Sequence, residues 1–233
     1  MEILTLENFL ALLSLTSLEI ILGFDNIVVL TLIISKLEKS KQNSARKIGM
    51  SLAMCMRILL LFSISWLMML TKPIFNLMSH DFSGRDLVLL SGGLFLIAKT
   101  TSEIHESVET KKEKRIKHKT KYFSVILQIV LVDIIFSLDS VITAVGVSNH
   151  LGVMIIAIVT SVVIMARFAK FIGEFIEEHP TFKILALSFL VLVGVMLFAE
   201  GIGHHIDKGY IYFAMSFSLI VEFINLKLKS SDE

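Results

Sequence analysis

Apolar side chains gather into seven stretches, at about 9–35, 48–70, 86–104, 122–147, 151–172, 182–201 and 209–226, with charged residues concentrated between them. Each approaches or exceeds the roughly 20 residues that a helix needs to cross a bilayer. The pattern therefore predicts seven membrane-spanning helices, the third closing in a polar run with Lys99, Glu103 and His105. With 55% hydrophobic residues and a mean hydropathy of +0.78, the chain is too apolar for a water-soluble domain of this size. The expected fold is an all-α polytopic membrane protein, with the lipid bilayer as its first partner.

Basic residues set the orientation. Lys36, Lys39, Lys41, Arg46 and Lys47 follow the first stretch, and seven lysines and arginines between 111 and 121 follow the third. Lys170 and Lys183 flank the loop after the fifth, and Lys227 with Lys229 close the seventh, whereas the alternate loops hold only Lys72, Arg85 and Lys208. This asymmetry predicts an N-terminus outside and a C-terminus inside. The opening MEILTLENFL has no basic segment of the kind that precedes a cleaved signal, so the first stretch reads as a retained helix. The basic segment 110–121, TKKEKRIKHKTK, reads as a topological signal that can also touch anionic lipid heads. No aromatic residues interleave with the basic ones, so nucleic acid is not an expected partner. The single cysteine, Cys55, lies in an apolar run and offers neither a disulfide nor a thiolate metal site. Phosphate loops, HExxH and nucleophile elbows are missing, so neither an enzyme nor a bound cofactor is expected.

Acidic residues interrupt two of the apolar stretches in matching ways. Residues 18–30, LEIILGFDNIVVL, align with 132–144, VDIIFSLDSVITA, so that Glu19 falls on Asp133, Asp25 on Asp139 and Asn26 on Ser140. The likeness extends to Met56-Arg57 against Ala166-Arg167, and to GLFLIAK at 93–99 against GVMLFAE at 194–200. The chain thus divides into a three-helix repeat (9–104), a basic cytoplasmic loop (105–121), a second three-helix repeat (122–201) and an appended helix (209–226). The two repeats run antiparallel across the membrane, an architecture in which transporters hold ions near the midplane.

A carboxylate at the centre of a membrane helix costs about 2.5–3.5 kcal/mol even on the lenient insertion scale. Four in two matched copies call for a compensating cation. Six residues separate the acids of each copy, which puts them about 120° apart around a regular helix. Seven residues return to the same face, aligning Glu19 with Asn26 and Asp133 with Ser140. Gly23 and Ser137 lie between the acids, where a local unwinding would turn Asp25 and Asp139 inward. Carboxylates, an amide and a hydroxyl form an all-oxygen set suited to Mn²⁺, Ca²⁺ or Mg²⁺. The competing reading is structural: the acids pair with Arg57, Arg167 or Lys99 and hold helices together. In the transport reading, Arg57 and Arg167 are counter-charges for the emptied site.

Further polar residues mark the ends of the repeats. Glu103, His105 and Glu106 close the third stretch, and Glu200, His204 and His205 follow the sixth. They read either as stations on opposite sides of the membrane or as solvated helix ends. Glu222, between LIV and FIN in the last stretch, reads as a proton-coupling acid or as a partner for a neighbouring helix.

EIILGFDNIVVL, DIIFSLDSVITAVG, SGGLFLIAKTTSEIHES and GYIYFAMSFSLIVEFINL together resemble the TerC family of integral membrane proteins, over essentially the whole chain. The resemblance is to its short bacterial branch in the cytoplasmic membrane, without appended cytoplasmic domains. It implies export of Mn²⁺ as a transported substrate, with Asp25, Asn26, Asp139 and Ser140 as metal-binding positions and Glu19 and Asp133 as acidic supports. The family name also implies tellurium resistance, for which an acidic site offers no chemistry toward an oxyanion. Two other functions stand beside export: a membrane scaffold that recruits a second copy or another membrane protein, and Ca²⁺ or Na⁺ exchange through the same site.

Overall fold

A computed structural model describes residues 6–77, 80–109, 121–147 and 150–229; a few side chains within its helices, those of Asp25 and Asp139 among them, lie outside that description. Eight helices are described: α1 (Leu6–Ile34), α2 (Lys39–Phe62), α3 (Ile64–Leu70), α4 (Gly84–Glu109), α5 (Tyr122–Val147), α6 (Leu151–Glu178), α7 (Pro180–Gly201) and α8 (Lys208–Lys229). A short antiparallel hairpin, β1 (Pro73–Leu77) with β2 (His80–Ser83), precedes α4. The protein is an all-α polytopic membrane protein.

Six described helices are long and apolar enough to cross a membrane: α1, α4, α5, α6, α7 and α8. The expectation of seven differs at the second stretch, 48–70. Those residues divide between the C-terminal half of α2 and the short α3, with the break at Ser63. The first half of α2, KSKQNSARK, is polar, so the helix as a whole lacks the apolar character of a simple span. The segment 110–121 falls, except for Lys121, outside the described residues.

The helices form two compact units, each drawing on both halves of the chain: residues 1–72 with 117–175, and residues 73–116 with 176–233. In the first unit α5 packs against α1 and α2. Ala45, Gly49, Ala53 and Arg57, spaced by four, form one face of α2, and the small residues along it let α5 approach closely. A Cβ on Gly49 would lie 3.2 Å from the side chain of Ile129. That row ends at Arg57, which the packing therefore carries inward.

The second unit is built on the antiparallel pair α4 and α7. Gly93 of α4 and Gly194 of α7, matched positions in the two repeats, meet at backbone distance: a Cβ on Gly93 would fall 2.6 Å from the Gly194 carbonyl oxygen. The start of α4 is fixed by a reciprocal cap. The Ser83 amide and hydroxyl both donate to Asp86 Oδ2, at 2.9 and 2.7 Å, and the Asp86 amide donates to Ser83 Oγ at 3.2 Å. The preceding hairpin, which the apolar pattern did not predict, is held by stacked Phe75 and Phe82 and by Asn76 Nδ2 donating to Asp81 Oδ1 at 2.7 Å.

Candidate ion site

Three buried charged residues meet where Glu19, midway along α1, and Asp133, midway along α5, face Arg57 near the C-terminal end of α2. Arg57 donates from Nη1 to Glu19 Oε2 and from Nη2 to Asp133 Oδ1, both at 2.8 Å. Glu19 is 1% exposed, Arg57 3% and Asp133 6%, so the pairs are shielded from water. Glu19 and Asp133 are matched positions of the two repeats, and one guanidinium serves both. With both acids ionised, the cluster carries one uncompensated negative charge.

The two copies differ in how each acid is supported. One turn beyond Asp133, the Ser137 hydroxyl donates to Asp133 Oδ2 at 3.2 Å, so both carboxylate oxygens are engaged. One turn beyond Glu19 stands Gly23, which has no hydroxyl to give. Glu19 Oε1 is buried without a hydrogen-bond partner among the described residues, and so is Asn26 Oδ1. Glu19, Gly23 and Asn26 share one face of α1 at intervals of four and three residues. The Met165 thioether of α6 packs against Gly23, in the space that a side chain there would occupy.

A cavity of about 40 Å³ adjoins this face; its wall includes Asn26, Arg57, Asp133 and Met165 among apolar residues such as Leu30 and Ile129. The volume exceeds the roughly 10–15 Å³ that a single water requires. Its exposed wall is almost wholly apolar.

The anticipated unwinding at Gly23 and Ser137 is not observed: α1 and α5 are continuous helices through both. Close packing explains this, since Gly23 lies under Met165 and Ser137 is fully buried against its own helix. Ser140 is buried, with its hydroxyl directed at the Ser137 carbonyl at 3.4 Å. The two counter-charges foreseen are reduced to one. Arg167 is exposed on α6, because the inward face of that helix is set by Met165 and Ala169, and position 167 points away from it. Among the described residues, no group of three or more His, Cys, Asp or Glu side chains is arranged to hold a metal ion.

The remaining sequence-derived positions belong to the second unit. Glu200, half-buried, accepts from Arg85 Nη2 at 2.7 Å, joining the end of α7 to the start of α4. Glu103 is half-buried, whereas His105, Glu106, His204 and His205 are exposed. Glu222 accepts from Asn225 Nδ2 at 3.4 Å, a contact within α8 rather than with a neighbouring helix.

The profile of the Integral membrane protein TerC family matches residues 4–231. The chain belongs to the TerC family. Among TerC relatives, a UPF0053 protein of Haemophilus influenzae is 51% identical over 225 residues, covering 96% of this chain and 95% of the relative. The UPF0053 inner membrane protein YgdQ of Escherichia coli is 52% identical over 218 residues, covering 94% and 92%. A longer TerC relative, the inner membrane protein YoaE of the same organism, is 47% identical over 216 residues; the match covers 92% of this chain but only 42% of YoaE. No solved structure matches the chain.

Proposed function

We propose that this TerC protein is a secondary transporter that exports a divalent cation, Mn²⁺ foremost, across the bacterial inner membrane. The observation that carries the reading is the Arg57 bridge between Glu19 and Asp133, the matched acids of the two repeats. A structural ion pair needs one acid for one base. Here one guanidinium is shared by two acids deep in the first unit, beside a cavity and two oxygens without a partner among the described residues. Such a cluster attracts a cation, and the guanidinium balances the acids when the cation has left. Asp25 and Asp139, next to Asn26 and Ser140 in sequence, complete the acidic set in this reading. The N-terminus lies outside and the C-terminus inside, with α2 and α3 together making one crossing.

The test is Mn²⁺ uptake into inside-out vesicles, where export becomes accumulation. Wild type is expected to accumulate Mn²⁺, and the Asp25→Asn, Asp139→Asn double variant and Glu19→Gln to lose most of it at unchanged membrane levels. Equal uptake in wild type and in all these variants would sink the proposal.

A further inference from the structure

Thr31 in the last turn of α1, Arg46 in the first half of α2 and Gly173 near the end of α6 meet at one end of the first unit. A Cβ on Gly173 would stand 3.1 Å from Arg46 Nη2 and 3.6 Å from Thr31 Oγ1, so a guanidinium and a hydroxyl flank one small notch. A threonine in a helix ordinarily spends its hydroxyl on a carbonyl one turn back. Thr31 is 3% exposed, yet its Oγ1 has no hydrogen-bond partner among the described residues. Arg46 is half-buried, its Nε is shielded and equally without a partner, and among the described residues no acid pairs with it. Acids on the adjoining helices are engaged elsewhere: Glu38 with Lys41 at 3.3 Å, and Glu174 with Lys170 at 3.6 Å. Helix packing alone accounts for the glycine, but it does not account for two shielded donors left without acceptors, which cost stability. The other repeat offers a comparison. By the alignments above, Thr31 corresponds to Val145 and Arg46 to Ile156, so these donors belong to one side of the membrane only.

We propose that Arg46 and Thr31 form a phosphate-binding site over Gly173, taken by the headgroup of an anionic phospholipid in the cytoplasmic leaflet. The leaflet rests on the orientation proposed above; the phosphate chemistry does not. The three atoms nearest the notch all belong to Arg46 and Thr31, and their polar groups are a guanidinium and a hydroxyl, with no carboxylate to repel an anion. A guanidinium holds two phosphate oxygens in a planar fork, and the hydroxyl supplies a further donor behind it. Because Arg46 is half-buried rather than enclosed, an anion meets the open edge of the guanidinium first. The last turn of a membrane-spanning helix lies at headgroup depth, where lipid phosphates stand, and basic pockets between helices on the cytoplasmic side suit them. Lys47, exposed beside Arg46, adds to the local positive potential without lying nearest the notch.

The experiment follows thermal unfolding of the full chain, purified in an uncharged detergent, against added phosphatidylglycerol, phosphatidylcholine or inorganic phosphate. Phosphatidylglycerol is expected to raise the unfolding temperature at lower concentration than the other two. Arg46→Gln and Thr31→Val are each expected to need at least about tenfold more phosphatidylglycerol for the same rise, the scale of one hydrogen bond to a charged group. Lys47→Gln, which removes the same charge one residue away, is expected to match wild type. Thr31→Val breaks no hydrogen bond among the described residues, so it keeps the test decisive if Arg46→Gln does not fold. An equal rise with phosphatidylcholine, or an unchanged response in Thr31→Val, overturns the site. Equal losses in Lys47→Gln and Arg46→Gln also overturn it, in favour of diffuse surface charge. A match between inorganic phosphate and phosphatidylglycerol overturns the lipid as occupant. None of these outcomes depends on cation uptake, so they stand apart from the fate of the transport reading.

Discussion

Gly93 and Gly194 each lie against the other's carbonyl oxygen, at 2.6 and 3.1 Å from where a Cβ would stand. The contact is reciprocal between matched positions, as two copies of one motif packed across a local two-fold would make it. At Gly93 the obstacle is backbone, whereas at Gly194 the nearest atom is Ile97 Cγ1, at 2.9 Å. Gly93→Ala is expected to lower stability by about 1–3 kcal/mol, the usual cost of forcing bulk into a packed contact. Thermal unfolding in detergent reads this, and Gly194→Ala should cost less, since the Ile97 side chain can shift. A neutral result at both positions would mean that α4 and α7 are not held this closely.

Arg57 is the hinge of the charged cluster. Arg57→Gln strands two buried acids and is expected to destabilise the protein by roughly 3–5 kcal/mol. Arg57→Lys keeps the charge but loses the planar fork that reaches two carboxylates from two nitrogens. An intermediate loss of stability is expected for lysine. If lysine proves equal to arginine, charge alone matters and the split geometry does not.

Glu19 and Asp133 should separate when neutralised. Asp133 has both oxygens engaged, so Asp133→Asn is expected to act chiefly on stability, by about 1.5–3 kcal/mol for the charged hydrogen bonds disturbed. Glu19 keeps one oxygen without a described partner, so Glu19→Gln should act chiefly on cation uptake. Unfolding and vesicle uptake measured on the same preparations distinguish the two. Identical profiles would remove the asymmetry drawn from Gly23 and Ser137.

Ser83 begins α4 through its exchange of hydrogen bonds with Asp86. Ser83→Ala is expected to cost about 0.5–2 kcal/mol, as loss of a helix cap generally does. Uptake per folded molecule should be unchanged, since the cap lies in the other unit from Glu19, Arg57 and Asp133.

Long, strongly apolar segments were legible in the sequence because burial in lipid demands them. The stretches at 122–147 and 182–201 correspond to α5 and α7 within two residues at each end. The second stretch was harder to read, because α2 begins amphipathic and breaks at Ser63, so apolarity and helical length no longer coincide. The hairpin escaped notice because PIFNL and HDFS are too short for periodicity to speak. The duplicated motif marks Asp25 and Asp139 as metal positions and Glu19 and Asp133 as their supports, with Arg57 as a counter-charge; the side chains of Asp25 and Asp139 lie outside the described residues. That one arginine would take Glu19 and Asp133 while Arg167 took neither depends on which helix face packs inward. The run Ala45, Gly49, Ala53, Arg57 contained that information, but only packing against α5 gives it force.

The order in which the chain is made gives the shared guanidinium a consequence for assembly. Glu19 and Arg57 both leave the ribosome before Asp133, and α1 and α2 are in contact in the finished protein. The first pair can therefore close as soon as the second helix enters the bilayer. Asp133 arrives later, to a cation already in position. Made in the opposite order, the half that carries Asp133 would bring, among the described residues, no buried arginine of its own. The N-terminal half can thus shelter Glu19 alone, while Asp133 depends on what was inserted before it.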